Sequence, residues 1–129
     1  MESKRGKKNP ERESVLLAQI LRYLEMRRIL HWRMPVQGVM RSSRGRVSFS
    51  KSPIAGFPDI AGIYQGVFFA IEVKTSKGKA SDLQLGWIRN ILDAGGVAGV
   101  VRSLADVDEI LALITSGDIL KPKIINIAS

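Results

Sequence analysis

The chain predicts an α/β protein, a mixed sheet flanked by helices, and three observations carry that reading. Amphipathic stripes at helical spacing alternate with short apolar runs, the pattern of helices layered on a sheet. The run VFFAI at 67–71 is too continuously apolar for an edge strand and reads as a strand buried on both faces. Polar or Gly-rich connections, such as KTSKGKAS and Gly95-Gly96, divide the runs into the order α-β-β-β-α-β-α.

Residues 1–10 make a basic arm, with Lys4, Arg5, Lys7 and Lys8 ahead of Pro10, and their composition predicts disorder. A helix is expected from Glu11 to Arg28. The stretch is rich in strong helix formers, and Leu16, Leu17, Ile20, Leu21 and Leu24 line up as one apolar stripe. HWRMPV at 31–36 predicts a short strand. From Gln37 to Pro53 the periodicity fails. This Gly- and Ser-rich stretch carries Arg41, Arg44, Arg46 and Lys51, and it reads as a basic, substrate-contacting loop with a short extended piece at Val47–Phe49.

Two strands follow, Pro58–Tyr64 and Val67–Lys74, joined by Gln65-Gly66 as a two-residue hairpin turn. The next helix, Ser81–Ala94, opens on Ser-Asp-Leu-Gln, a capping-box pattern, and stops at Gly95-Gly96. VAGVV at 97–101 predicts a short buried strand, and Leu104–Ile114 a further amphipathic helix. The tail, 115–129, holds Pro122 and an apolar IINI, suited to an edge strand or a contact between subunits. One domain, 11–114, thus lies between the basic arm and the tail.

Composition narrows the function. The chain has 129 residues, enough to bury a core, and no apolar run long enough to span a bilayer. No apolar signal region follows the N-terminal charges, so a cytoplasmic protein is expected. There are no cysteines and a single histidine, His31, so a metal would be held by oxygen, which favours Mg²⁺ or Mn²⁺. The net charge is +8, and residues 1–51 carry all of the excess, with thirteen Lys or Arg against four acids. That asymmetry suggests a nucleic-acid partner; the plainer alternative is a solubilising surface charge.

The hairpin raises the chemical question, because acids and a base ride on the end of a core strand. Counting back from Gln65-Gly66, with Tyr64 facing Val67, places Asp59 directly opposite Glu72. Lys74 shares the face of Glu72, since strand side chains alternate. Two carboxylates so close repel unless one is protonated or a cation lies between them. Either Lys74 pairs with one acid while the other is solvated, or a divalent metal bridges Asp59 and Glu72 and leaves Lys74 free for a reacting group. In the first helix, Glu13 continues the line of Leu17, Ile20 and Leu24. It is either a helix-dipole partner in the first turn or a group projecting over the sheet toward that metal. Gln84 either completes the capping box or positions a catalytic group, and the two roles are compatible.

Asp59, the spaced Glu72-Val73-Lys74 and the following Gln84 resemble the PD-(D/E)XK nuclease superfamily. More narrowly, the chain is similar to the virus-type replication-repair nuclease domain, VRR-NUC. The likeness rests on Glu13-Ser14, Trp32-Arg33, Gly56-Phe57-Pro58-Asp59, Ile71-Glu72-Val73-Lys74, Gly78 to Gln84 with Trp87, Gly95-Gly96 and Val100-Val101-Arg102, and it covers roughly residues 11–112. The resemblance implies the nuclease core fold and a metal-dependent endonuclease acting on branched DNA, such as four-way junctions or flaps. It would be a stand-alone, phage- or bacterium-type homodimer working in DNA repair. It implies that Asp59, Glu72 and the Val73 carbonyl hold Mg²⁺ or Mn²⁺, with Glu13 a direct or water-mediated ligand. Lys74 would then orient or deprotonate the attacking water, and Gln84 would position Lys74 or that water. Arg33, Arg41, Arg44, Arg46, Lys51, Lys77 and Lys79 would neutralise backbone phosphates. The alternatives are a non-catalytic nucleic-acid-binding module on the same fold and a basic structural protein.

Overall fold

A computed structural model of the chain describes residues 10–34, 40–41, 47–48 and 54–117. Within these, helix α1 (Pro10–Met26) is followed by β1 (Leu30–Arg33) and by a two-stranded piece, β2 (Met40–Arg41) with β3 (Val47–Ser48). The chain continues through β4 (Ile60–Tyr64), β5 (Val67–Val73), α2 (Asp82–Asp93), β6 (Val97–Val101) and α3 (Leu104–Ser116). The main sheet has the order β1-β4-β5-β6, antiparallel except for the parallel pair β5 and β6. This is the expected α/β fold in the expected order. Among the described residues the β2–β3 ladder is an addition inside the stretch read as a loop, with β3 on the extended piece expected at Val47–Phe49. The arm up to residue 9, most of the basic loop and the tail from residue 118 lie outside the described residues. No helix among the described residues is long and apolar enough to cross a membrane.

The β4–β5 hairpin positions everything else. Gln65 and Gly66 both have positive φ, 50° and 79°, as a type I′ turn requires, and that turn matches the right-handed twist of paired strands. Tyr64 therefore faces Val67, and the register runs out to Ile60 opposite Ile71. β5 is central, flanked by β4 on one side and β6 on the other, so Phe69 to Val73 are buried on both faces, while Val67 and Phe68 at the turn end are half-buried.

Alternation along β5 splits the core in two. Phe69, Ile71 and Val73 pack with Ile20 and Leu24 of α1 and Val107, Ile110, Leu111 and Ile114 of α3. On the other face, Ala70 packs with Ala98 and Val100 of β6 and with Ile88, Ile91 and Leu92 of α2. Gly95 at φ 95° ends α2, with Gly95 N–H donating to Leu92 O and Gly96 N–H to Ile91 O, the paired bonds of a Schellman cap. The same two bonds end α1, from Arg28 to Glu25 and from Ile29 to Leu24. There a non-glycine residue, Arg28, takes the left-handed conformation at φ 56°.

Candidate active site

The pleat that sends Phe69, Ile71 and Val73 to one core sends Phe68, Ala70, Glu72 and Lys74 to the other. Glu72 and Lys74 are the buried charges of the described residues, at 2% and 7% exposure. The paired register ends at Ile60 opposite Ile71, and Asp59, the next residue out, brings its carboxylate alongside Glu72. Asp59 is tied down there: its Oδ2 accepts from the Val73 backbone N–H at 2.8 Å, and its own carbonyl accepts from Met34 N–H at 2.8 Å.

Glu72 is the centre of the group. Its Oε1 accepts from Gln84 Nε2 at 2.9 Å and lies 3.6 Å from Lys74 Nζ. Its Oε2 is buried with no hydrogen-bond partner. Burial, and then the Asp59 carboxylate alongside, push the Glu72 carboxyl from 4.5 up to about 8, with Lys74 pulling the other way. An orphaned, buried carboxylate oxygen carries a desolvation penalty that a cation or a proton would relieve. The pair Asp59 and Glu72 supplies the hard oxygen donors that Mg²⁺ or Mn²⁺ takes. Mg²⁺ characteristically uses one or two carboxylates and completes its shell with water and substrate phosphate. The residues present fit such an ion.

Helix α2 braces the group from above. Ser81 is its N-cap: the Ser81 hydroxyl accepts from Gln84 N–H at 3.2 Å, and Gln84 Oε1 accepts from Ser81 N–H at 2.8 Å. That leaves the Gln84 amide nitrogen to donate to Glu72, so one side chain both closes the cap and reaches the buried carboxylate. One turn on, Trp87 Nε1 donates to Ala55 O at 3.0 Å, and the Phe57 ring packs edge-on against Trp87 at 5.2 Å. The segment leading into Asp59 is thus fastened to the same helix that holds Glu72.

Glu13 is not part of this group. Among the described residues no three His, Cys, Asp or Glu side chains gather as a set that could hold a metal. The stripe that Glu13 continues, through Ile20 and Leu24, packs on the sheet face opposite Glu72. Lys77 and Lys79 are exposed on the connection after β5. Arg33 is exposed and pairs with Ile60. It sits at the same end of the sheet, but the pleat puts it on the other face. Arg44, Arg46 and Lys51 lie outside the described residues, as does the Arg41 side chain.

Arg102 was not assigned a role by its sequence position, yet its guanidinium donates to the carbonyls of Thr75 and Gly78, in the turn just after Lys74. Those partners are 27 and 24 residues away, so no local pattern announces them. In comparisons with known proteins, no family model and no curated sequence matches the chain.

Proposed function

We propose that the protein is a divalent-metal-dependent phosphodiester hydrolase acting on DNA, of the PD-(D/E)XK class. Within that class it is of the VRR-NUC type and selective for branched DNA. The observation that carries the reading is the buried Glu72 carboxylate beside Asp59: its Oε2 has no partner, and its Oε1 lies 3.6 Å from the Lys74 ammonium. The finer reading, four-way junctions or flaps cut by a homodimer in the cytoplasm, rests on the likeness of the ordered motifs and on the basic excess of residues 1–51. A symmetric junction suits two sites on a two-fold axis.

Asp59, Glu72 and the Val73 carbonyl would hold Mg²⁺ or Mn²⁺, which supplies positive charge that acidifies water and neutralises a phosphate. Lys74 orients the attacking water and stabilises the charge that builds on the phosphate oxygens in the transition state. Gln84 keeps Glu72 in place from the helix side, so the carboxylate does not swing when the ion pair with Lys74 loosens. Lys77 and Lys79 meet the DNA backbone, giving salt-sensitive affinity with little sequence preference.

Labelled four-way junction, flap, duplex and single-stranded DNA, incubated with the protein and Mg²⁺ or Mn²⁺, test this reading. The expected result is cleavage of branched substrates that leaves a 5′-phosphate and a 3′-hydroxyl. Asp59→Asn and Lys74→Ala should each lower the rate on the order of 10²–10³-fold while binding is retained. Tight binding with no cleavage in either metal would instead identify a nucleic-acid-binding module.

A further inference from the structure

We infer that Arg102 is a positioning residue for Lys74: its guanidinium locks the turn Thr75–Gly78 closed over the lysine stem. The inference rests on the nuclease reading for its consequence, but the contacts stand by themselves. Arg102 Nη1 donates to Thr75 O and, at 2.6 Å, to Gly78 O. Gly78 N–H donates to the same Thr75 oxygen at 3.1 Å, so the arginine closes a turn that has one hydrogen bond of its own. Hydrogen bonds from an ionised donor are roughly twice as strong as neutral ones, and here two of them converge on four residues.

The arginine is itself held at its root. Its backbone N–H donates to Asp106 Oδ2 at 2.8 Å, and Asp106 N–H donates to Ser103 Oγ at 3.2 Å, within the first turn of α3. Immediately before it, Val101 O accepts from Lys74 N–H at 3.0 Å. Residues 101 and 102 therefore grip the chain on both sides of the Lys74 side chain, the first at its backbone and the second at the turn beyond. The stem lies under that turn: a Cβ placed on buried Gly78 would stand 3.4 Å from Lys74 Cδ. With Thr75–Gly78 closed, Lys74 Nζ is confined to the neighbourhood of Glu72. With the turn open, the ammonium has a free path to water, which solvates it better than the buried carboxylate does.

Arg102 belongs to neither apolar core, so its loss should act on the turn and not on the fold as a whole. Arg102→Met keeps the apolar stem and removes the donors; Arg102→Lys keeps charge and one donor group. Amide hydrogen exchange on the metal-free proteins is expected to show faster exchange at Gly78 in Arg102→Met, with core amides such as those of Phe69 and Ile110 unchanged. On the substrate that wild type cleaves, the single-turnover rate at saturating DNA should fall about 10–100-fold, because a misplacement near 1 Å costs that order. Binding measured in Ca²⁺ should hold, and Arg102→Lys should recover part of the rate. Unchanged exchange at Gly78, exchange raised uniformly through the core, or a wild-type rate per folded molecule would each overturn the inference. If wild type cleaves no DNA, the nuclease reading fails, and the exchange comparison alone decides whether Arg102 orders the turn.

Discussion

The two faces of β5 make opposite compromises. On the side of α1 and α3, Phe69, Ile71 and Val73 enter a layer whose buried members are all apolar and are sealed by two helices. On the side of α2, Ala70 enters a smaller apolar patch, and two residues later the same row runs into buried Glu72 and then Lys74. One strand, with a strict period of two, thus feeds a face built for stability and a face that tolerates a charge penalty. The difference teaches where to look for chemistry: the first face secures the second, and substitutions on the two should fail in different ways.

The largest expected effect breaks the first face. Phe69 is fully buried and central in its cluster. Phe69→Ala should cost about 3–5 kcal/mol in urea unfolding, from lost transfer energy and the cavity left behind. Any residual activity should track the folded fraction. A cost below about 1 kcal/mol would mean that the α1/α3 face is not the stabilising one.

On the second face the sign reverses. In the metal-free folded protein Glu72 is pushed up to about 8 and keeps its proton below that pH, whereas the unfolded chain releases it near its ordinary 4.5. Between those values folding takes up a proton, so the Glu72 contribution to stability falls as pH rises through the window and is constant on either side of it. Glu72→Gln removes the slope. The variant should therefore gain on wild type with rising pH, by at most ~1.4 kcal/mol per pH unit, until about pH 8. Mg²⁺ should raise the Tm of wild type and leave the Gln variant where it was. Parallel pH curves for the two proteins would sink the assignment of Glu72 as the strained group.

How much of this the sequence disclosed follows from how local each cause is. Gln65-Gly66 is a two-residue turn of defined twist, so the register to Asp59 and Glu72 could be counted from it. Ser81 to Gln84 is a four-residue motif, and its capping box is present. Arg28 carries no such mark, because nothing in its side chain favours the left-handed conformation that ends α1. Glu13 shows a related limit: helical period tells which residues share a stripe, not which face of the sheet that stripe meets. The grip of Arg102 on Thr75 and Gly78, and of Trp87 on Ala55, joins segments far apart in sequence, and only the folded sheet brings them together.

The smallest expected effect separates capping from positioning on the α2 face. Ser81→Ala removes the hydroxyl that accepts from Gln84 N–H, and loss of an N-cap of this kind costs about 1 kcal/mol. It leaves the Ser81 backbone N–H in place, so Gln84 Oε1 keeps its donor and Gln84 Nε2 still reaches Glu72 Oε1. Stability should drop slightly while the cleavage rate of folded protein stays at wild type. Gln84→Ala removes the bridge itself and leaves Glu72 Oε1 with Lys74 alone, so its rate should fall further than its stability. If the two variants lose rate and stability in the same proportion, Gln84 is only a cap, and the α2 helix braces Glu72 by packing without any directed bond.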